Sequence, residues 1–320
     1  MKLFFGILLI AVLVAGLGFL YMVHAVGANF TENLRRRKPG EGYNPDIDVS
    51  FYTNGPLSKV ADRGLEYMKT LSSEELYLQS EDGLKLHATL FHTKEPSRRF
   101  VIGMHGFQSK SRYEFAPHIQ YYQEKGYQML LPDDRAHGES EGAFVTMGIK
   151  DRRDCVLWAK ELVRRFGPDI TILLHGISMG GATVLNASGE ADLPKQVAGV
   201  ISDCGFTSVK DSYANQIESI YHIPPALPVK ICGWFAKHKM GFDFSEARPI
   251  DQVKKAAVPI LFVQGEADQM VPKHMAEELY AACAAPKKLL LVPKANHAES
   301  IAVDPDGYHK AMEELFSGTI

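Results

Sequence analysis

Cysteine is scarce, with four in 320 residues. Cys155, Cys204, Cys232 and Cys283 lie far apart, with no C-x-x-C pair and no histidine at zinc-ligand spacing. That excludes a zinc ribbon and a dithiol redox motif, and leaves buried thiols packed as small apolar groups. A large excess of one charge is also missing. The formal net charge is -3, and the only dense basic run is Arg35-Arg36-Arg37-Lys38. Nucleic acid is therefore not an expected partner. No G-x-x-x-x-G-K loop and no dinucleotide fingerprint follows a strand-like segment, so nothing in the chain asks for a nucleotide or any other cofactor. Internal repeats and low-complexity tracts are absent. From Leu3 to Thr31 there is no Asp, Glu, Lys or Arg.

That uncharged stretch is itself informative. Leu3 to Val26 is almost wholly apolar and exceeds the roughly 20 residues a helix needs to span a bilayer. Being apolar on all faces, it does not suit an amphipathic core helix. Val26-Gly27-Ala28 could serve as a cleavage site, but the stretch is long for a signal h-region of about 7–15 residues. A retained single-pass anchor over residues 1–28, in the cell membrane, is favoured over a cleaved leader and a secreted product. Lys2 before the span and the basic run after it leave its orientation open, and the run is placed to meet anionic headgroups.

Residues 29–74 read as a linker, with Pro39-Gly40-Glu41-Gly42-Tyr43-Asn44-Pro45 at its centre, followed by a short helix over 60–71. From residue 75 a hairpin turning at Asp82-Gly83 leads into strand-helix alternation. Strands are expected at 75–80, 84–92, 99–104, 127–131, 170–174, 197–202, 258–263 and 288–292, with helices at 113–125, 151–166, 272–285 and 305–316. This order predicts an α/β fold over 75–320, a mostly parallel eight-stranded sheet with helices on both faces and its chemistry at the carboxyl ends of the strands. Residues 206–252 break the rhythm with Pro224, Pro225, Pro228 and several aromatics. They are read as a small cap over the substrate end.

Gly176-Ile177-Ser178-Met179-Gly180 fits G-x-S-x-G between an apolar β-branched run and a helix start, the context of a nucleophile elbow. A serine hydroxyl needs a base and a group that orients the base. Asp268 and His297 follow in that chain order, each in a loop just past a strand. His297 would take and return the Ser178 proton, and Asp268 would fix the imidazole tautomer. Glu266 and Asp203 are alternative acids. The backbone N–H groups of Phe107 and Met179 are the expected oxyanion donors. His105, His137 and Asp134 are assigned to hydrogen-bonded turns that brace the oxyanion loop.

With these motifs the chain resembles the α/β-hydrolase superfamily, in its lysophospholipase-like and serine aminopeptidase-like branch, and especially bacterial membrane-anchored hydrolases. The resemblance rests on His105-Gly106-Phe107, Asp134-Arg135-Ala136-His137-Gly138-Glu139-Ser140, Gly176-Ile177-Ser178-Met179-Gly180-Gly181, the Asp268 loop and Asn296-His297-Ala298-Glu299. It implies Ser178, Asp268 and His297 as the triad, Phe107 and Met179 as oxyanion donors, and no cofactor. Ala136 stands where many relatives have glycine. The branch holds esterases, lipases, thioesterases and peptidases. A carboxylic ester, small or lipid, is the expected substrate; a peptidase, for which Glu139, Glu141 or Glu218 could supply an amine site, and a non-catalytic binding protein are the alternatives.

Overall fold

The computed structural model describes residues 2–36 and 55–318. The basic pair Arg37-Lys38 and the linker centred on residues 39–45 lie outside that description. Eight strands form one sheet: β1 (Ser73–Gln79), β2 (Lys85–Phe91), β3 (Arg99–Met104), β4 (Tyr127–Asp133), β5 (Thr171–Ile177), β6 (Val197–Asp203), β7 (Ile260–Gly265) and β8 (Lys287–Val292). Their spatial order is β1-β2-β4-β3-β5-β6-β7-β8. The β1–β2 and β2–β4 pairs are antiparallel and every later pair is parallel. All eight expected strands are present.

The central strands are apolar along their length because both faces are covered. Alternate residues serve opposite faces. Phe100, Ile102, Ile172 and Leu174 pack with Trp158 and Leu162 of one layer. Val101 and Leu173 pack with Phe115, Ile119 and Tyr122 of the other. The fourth strand runs two residues past its expected end at Leu131. Pro132 sits opposite Ala88 of β2, beyond Leu130 where the pairing with β3 stops, so its missing N–H interrupts no bond to β3.

The helices are α1 (Lys2–Leu34), α2 (Pro56–Met68), α3 (Ser111–Glu124), α4 (Asp151–Phe166), α5 (Met179–Ser188), α6 (Val209–Tyr221), α7 (Ala226–Phe235), α8 (Pro249–Gln252), α9 (Lys273–Ala282), α10 (Ser300–Val303) and α11 (Pro305–Leu315). The expected boundary at residue 28 falls inside α1. That helix continues to Leu34 because its last turns have a surface to bury. Phe30 and Leu34 are inaccessible to solvent and pack with Val145, Phe206, Phe242 and Phe244. The second helix starts at Pro56 rather than 60, with Pro56 in the first turn where its absent N–H has no partner to lose.

Residues 206–252, the expected cap, comprise α6, α7, a π-helical turn at Ala236–Met240 and α8. Its buried aromatics share a cluster with Met179 and Val271. The cap therefore rests directly on the carboxyl end of β5 and on the loop after β7.

Candidate active site

Ser178 stands between β5 and α5 with φ 56° and ψ -114°, in the left-handed half of backbone space that side chains rarely adopt. The flanking glycines are steric necessities. A Cβ on Gly176 would strike the Gly180 carbonyl, and one on Gly180 would strike the Met104 carbonyl of β3. The turn is pinned from the neighbouring strand: the Ser178 N–H donates to the Asp203 carbonyl at 2.8 Å.

Two loops bring partners to this serine. His297 Nε2 lies 2.8 Å from Ser178 Oγ, and His297 Nδ1 lies 2.7 Å from Asp268 Oδ2. Asp268 is held on every side. The Met270 and Val271 N–H groups each donate to Oδ1 at 2.9 Å, and Gln264 Nε2 donates to Oδ2 at 2.9 Å. All three residues are nearly closed to solvent, with Ser178 9% exposed and the other two 5%. Burial works against the His297 imidazolium, but the Asp268 charge and hydrogen bond outweigh it, aided by Asp203 and Glu114, and the pKa is raised above the usual 6.5. The structure brings together the three residues singled out from the sequence.

Of the alternative acids, Glu266 turns outward to pair with Lys273 Nζ at 2.8 Å. Asp203 is close enough to bear on His297 electrostatically but is engaged elsewhere, accepting from the Tyr308 hydroxyl. Tyr308 Oη lies 3.0 Å from His175 Nε2, and His175 Nδ1 lies 2.9 Å from Tyr122 Oη. A consistent assignment has Tyr122 donating to His175, His175 to Tyr308 and Tyr308 to Asp203.

The loop that carries Phe107 is held by hydrogen bonds to two histidines. Asp134 N–H donates to His105 Nε2 and Gln108 N–H to His137 Nε2, each at 3.0 Å. Burial, with His105 nearby, pushes His137 down to about 3, so it stays a neutral acceptor. Gly106 N–H donates to the buried Glu114 carboxylate at 2.7 Å. The backbone donors on either side of Phe107 are thus taken. The Met179 N–H belongs to the first turn of α5, where helix N–H groups have no intrahelical acceptor. Ala136, the residue that departs from glycine, sits at φ 65°, which explains glycine's advantage at that position.

Two contributions were not legible beforehand. Cys204 Sγ lies 3.9 Å from His297 Nε2. Cys204, Asp268 and His297 offer ligand atoms within 4.8 Å of one another. His297 Nδ1 faces Asp268 and Nε2 faces Ser178, and burial pushes the Cys204 thiol well above its usual range. All four cysteines are free and buried. The other contribution comes from the end of α1. Gln108 Nε2 donates to the Asn33 carbonyl at 2.8 Å, and Arg36 donates to the Gly138 and Ser140 carbonyls. Arg35 pairs with Glu32. The expected headgroup role is corrected for Arg36, whose guanidinium is spent on backbone oxygens within the protein.

The prolyl oligopeptidase family model matches residues 113–316, more than half of the sequence. The chain belongs to that family. It is a serine hydrolase of the α/β-hydrolase fold. Among curated relatives, the uncharacterized protein YqkD of Bacillus subtilis is 28% identical over 62% of this chain, which matches 65% of that protein's length. The uncharacterized membrane protein YNL320W of Saccharomyces cerevisiae is 27% identical over 79% of this chain and 80% of its own. Among solved structures, the Pyrococcus furiosus esterase Pf2001 superposes with a TM-score of 0.62 at 22% identity, covering 77% of this chain and 92% of that one. Within the family, the match spans α3 to α11 and includes the loops that carry Ser178, Asp268 and His297.

Proposed function

We propose that the chain is a membrane-anchored carboxylic-ester hydrolase that works through an acyl-enzyme on Ser178. The observation that carries this reading is the relay from Ser178 Oγ through His297 to Asp268, with separations of 2.8 and 2.7 Å. His297 removes the hydroxyl proton as Ser178 Oγ attacks the ester carbonyl, and returns it to the departing alcohol. Water then repeats the sequence on the acyl-enzyme, with His297 as base and Ser178 as leaving group. The Phe107 and Met179 N–H groups hold the oxyanion in each half-reaction. Anchoring is supported by α1, which is long and apolar enough to cross a membrane, and by the resemblance to a yeast membrane protein.

The ester preference is supported by what surrounds the relay. The cap presents aromatic and aliphatic side chains towards Met179 and Val271. Two of the three acidic residues that could seat a substrate amine are occupied away from it: Glu139 accepts from Tyr77 Oη and Glu141 from the Lys85 N–H, both at 2.8 Å. Peptide bond hydrolysis is the second reading, favoured by the family to which the chain belongs.

A fluorophosphonate probe should label the full chain and fail to label Ser178→Ala. With p-nitrophenyl esters of graded acyl length beside aminoacyl p-nitroanilides, kcat/KM should be higher on the esters by ten-fold or more. Labelling that survives in Ser178→Ala would overturn the nucleophile assignment. Faster turnover of the anilides would replace the ester reading by the peptidase one.

A further inference from the structure

Among the described residues outside α1, seven large hydrophobic side chains are exposed, and five of them, Ile220, Tyr221, Ile223, Leu227 and Trp234, fall in one segment of the cap. This concentration is not a scatter of single apolar residues of the kind every surface has. Ile220, Tyr221 and Ile223 end α6 and begin its turn into α7. Leu227 and Trp234 are seven residues apart on α7, so they share a face of that helix, with the exposed Lys230 between them. Ile231, on the same side between Leu227 and Trp234, is buried, as is Cys232 on the far side of α7.

The position of α1 says what this surface meets. Residues 13–22 of α1 are exposed, and from Val23 onward the helix becomes progressively covered by protein. Gly27 lies against the Phe235 ring, so closely that no Cβ would fit. Phe235 in turn packs edge-on against Trp234, with ring centroids 5.2 Å apart. Phe30, one turn further, meets Tyr213 of the cap with ring centroids 5.2 Å apart. Leu3 to Met22 rises about 30 Å as a helix, the thickness of a hydrocarbon core. No spacer therefore separates the bilayer-spanning length from the protein body. The helix leaves the membrane where it touches α7, and the half-exposed indole of Trp234 lies at that level, where an amphipathic ring is at home.

We infer that the cap face of Ile220, Tyr221, Ile223, Leu227 and Trp234 seats in the headgroup region of the same bilayer that α1 crosses, holding the enzyme's mouth at the lipid surface. The inference rests on the anchor reading above. It adds that the cap is a second membrane contact, with Lys230 available to anionic headgroups. The oxyanion loop adjoins the same helix through Gln108 and Asn33, so the catalytic end of the sheet, the cap and the bilayer surface meet around the last turns of α1.

The two tryptophans provide the test. Trp158 is 1% exposed in the sheet core and Trp234 is 52% exposed on the cap. The full chain is reconstituted in phosphatidylcholine–phosphatidylglycerol vesicles, with acyl chains brominated or not, and its tryptophan emission is compared. Brominated lipid should remove the Trp234 share of the emission and spare the Trp158 share, and Trp234→Phe should abolish the difference. Alkaline carbonate extraction of the same vesicles reports on α1 separately. Retention of the chain with Trp234 unquenched would overturn the cap contact while leaving the anchor standing, and a cross-linked dimer in that case would assign the face to a second copy. Release of the chain by carbonate would overturn the anchor and the cap contact together.

Discussion

Two carboxyl groups follow neighbouring strands at the catalytic end of the sheet, and their surroundings make them different acids. Asp268, after β7, has both oxygens filled by two backbone N–H groups, the Gln264 amide and His297. Asp203, at the end of β6, accepts from Tyr308 but leaves buried Oδ1 without a partner. Burial, reinforced by Asp268 and Glu114 and opposed by Tyr308 and His297, pushes Asp203 up to about 7. The choice of triad acid therefore does not follow from proximity to the histidine alone. It follows from which carboxyl group is supplied with enough donors to act as an acceptor in a dry site.

The largest expected effect tests that distinction directly. Asp268→Asn should lower kcat by about 10⁴-fold, because an amide facing Nδ1 favours the wrong imidazole tautomer. Asp203→Asn, read in the same ester assay, should lower kcat less than ten-fold. Equal losses in the two variants would mean that the acids share the role.

The second effect is on stability. Asp203 has a raised folded pKa, so its neutral form is the one the fold favours. Below about pH 4 both folded and unfolded chains hold the proton, and no penalty is present. Between about pH 4 and 7 the unfolded chain ionises first, and the native state loses stability as pH rises, by up to about 4 kcal/mol for a shift from 3.8 to about 7. Urea unfolding of wild type and Asp203→Asn at pH 4, 5.5 and 7.5 should show their stability difference moving in favour of the variant with rising pH. A difference that stays constant across that range would show that Asp203 has no raised folded pKa.

The contrast also marks how far the sequence could be read. The strand positions were legible because the buried strands are short apolar runs bounded by Gly, Pro and charged residues. The Ser178, Asp268 and His297 positions were legible because each sits just past such a strand. The different surroundings of Asp203 and Asp268 were not, because they depend on Tyr308, Glu114 and Gln264, which the fold brings in from three separate segments. The docking of α1 was hidden for a related reason. Arg36 and Gln108 bond to backbone carbonyls, which every residue possesses, so no pattern in the chain announces those contacts. The basic run therefore looked like a headgroup patch, whereas its second arginine ties the end of α1 to the Gly138 and Ser140 carbonyls.

The smallest effect joins the two acids through the histidine between them. His297 must be neutral to accept the Ser178 proton, so activity is lost as pH falls through its pKa. That pKa is raised, and the acid limb of kcat/KM should lie above 6.5. Asp203 contributes to the rise when it is ionised, and the His297 imidazolium in turn opposes the rise of Asp203. The limb consequently belongs to a coupled pair rather than to one residue. Replacing Asp203 by Asn removes the negative charge that supports the imidazolium, so the limb should move to lower pH by less than about one unit and should become steeper or shallower only through the loss of coupling. An unmoved limb in Asp203→Asn would mean that the raised His297 pKa owes nothing to Asp203, and a limb displaced to higher pH would reverse the sign of the interaction. Either result would collapse the comparison into a single acid with a bystander. A downward shift with kcat nearly preserved would leave one acid that orients the base and a second that tunes it.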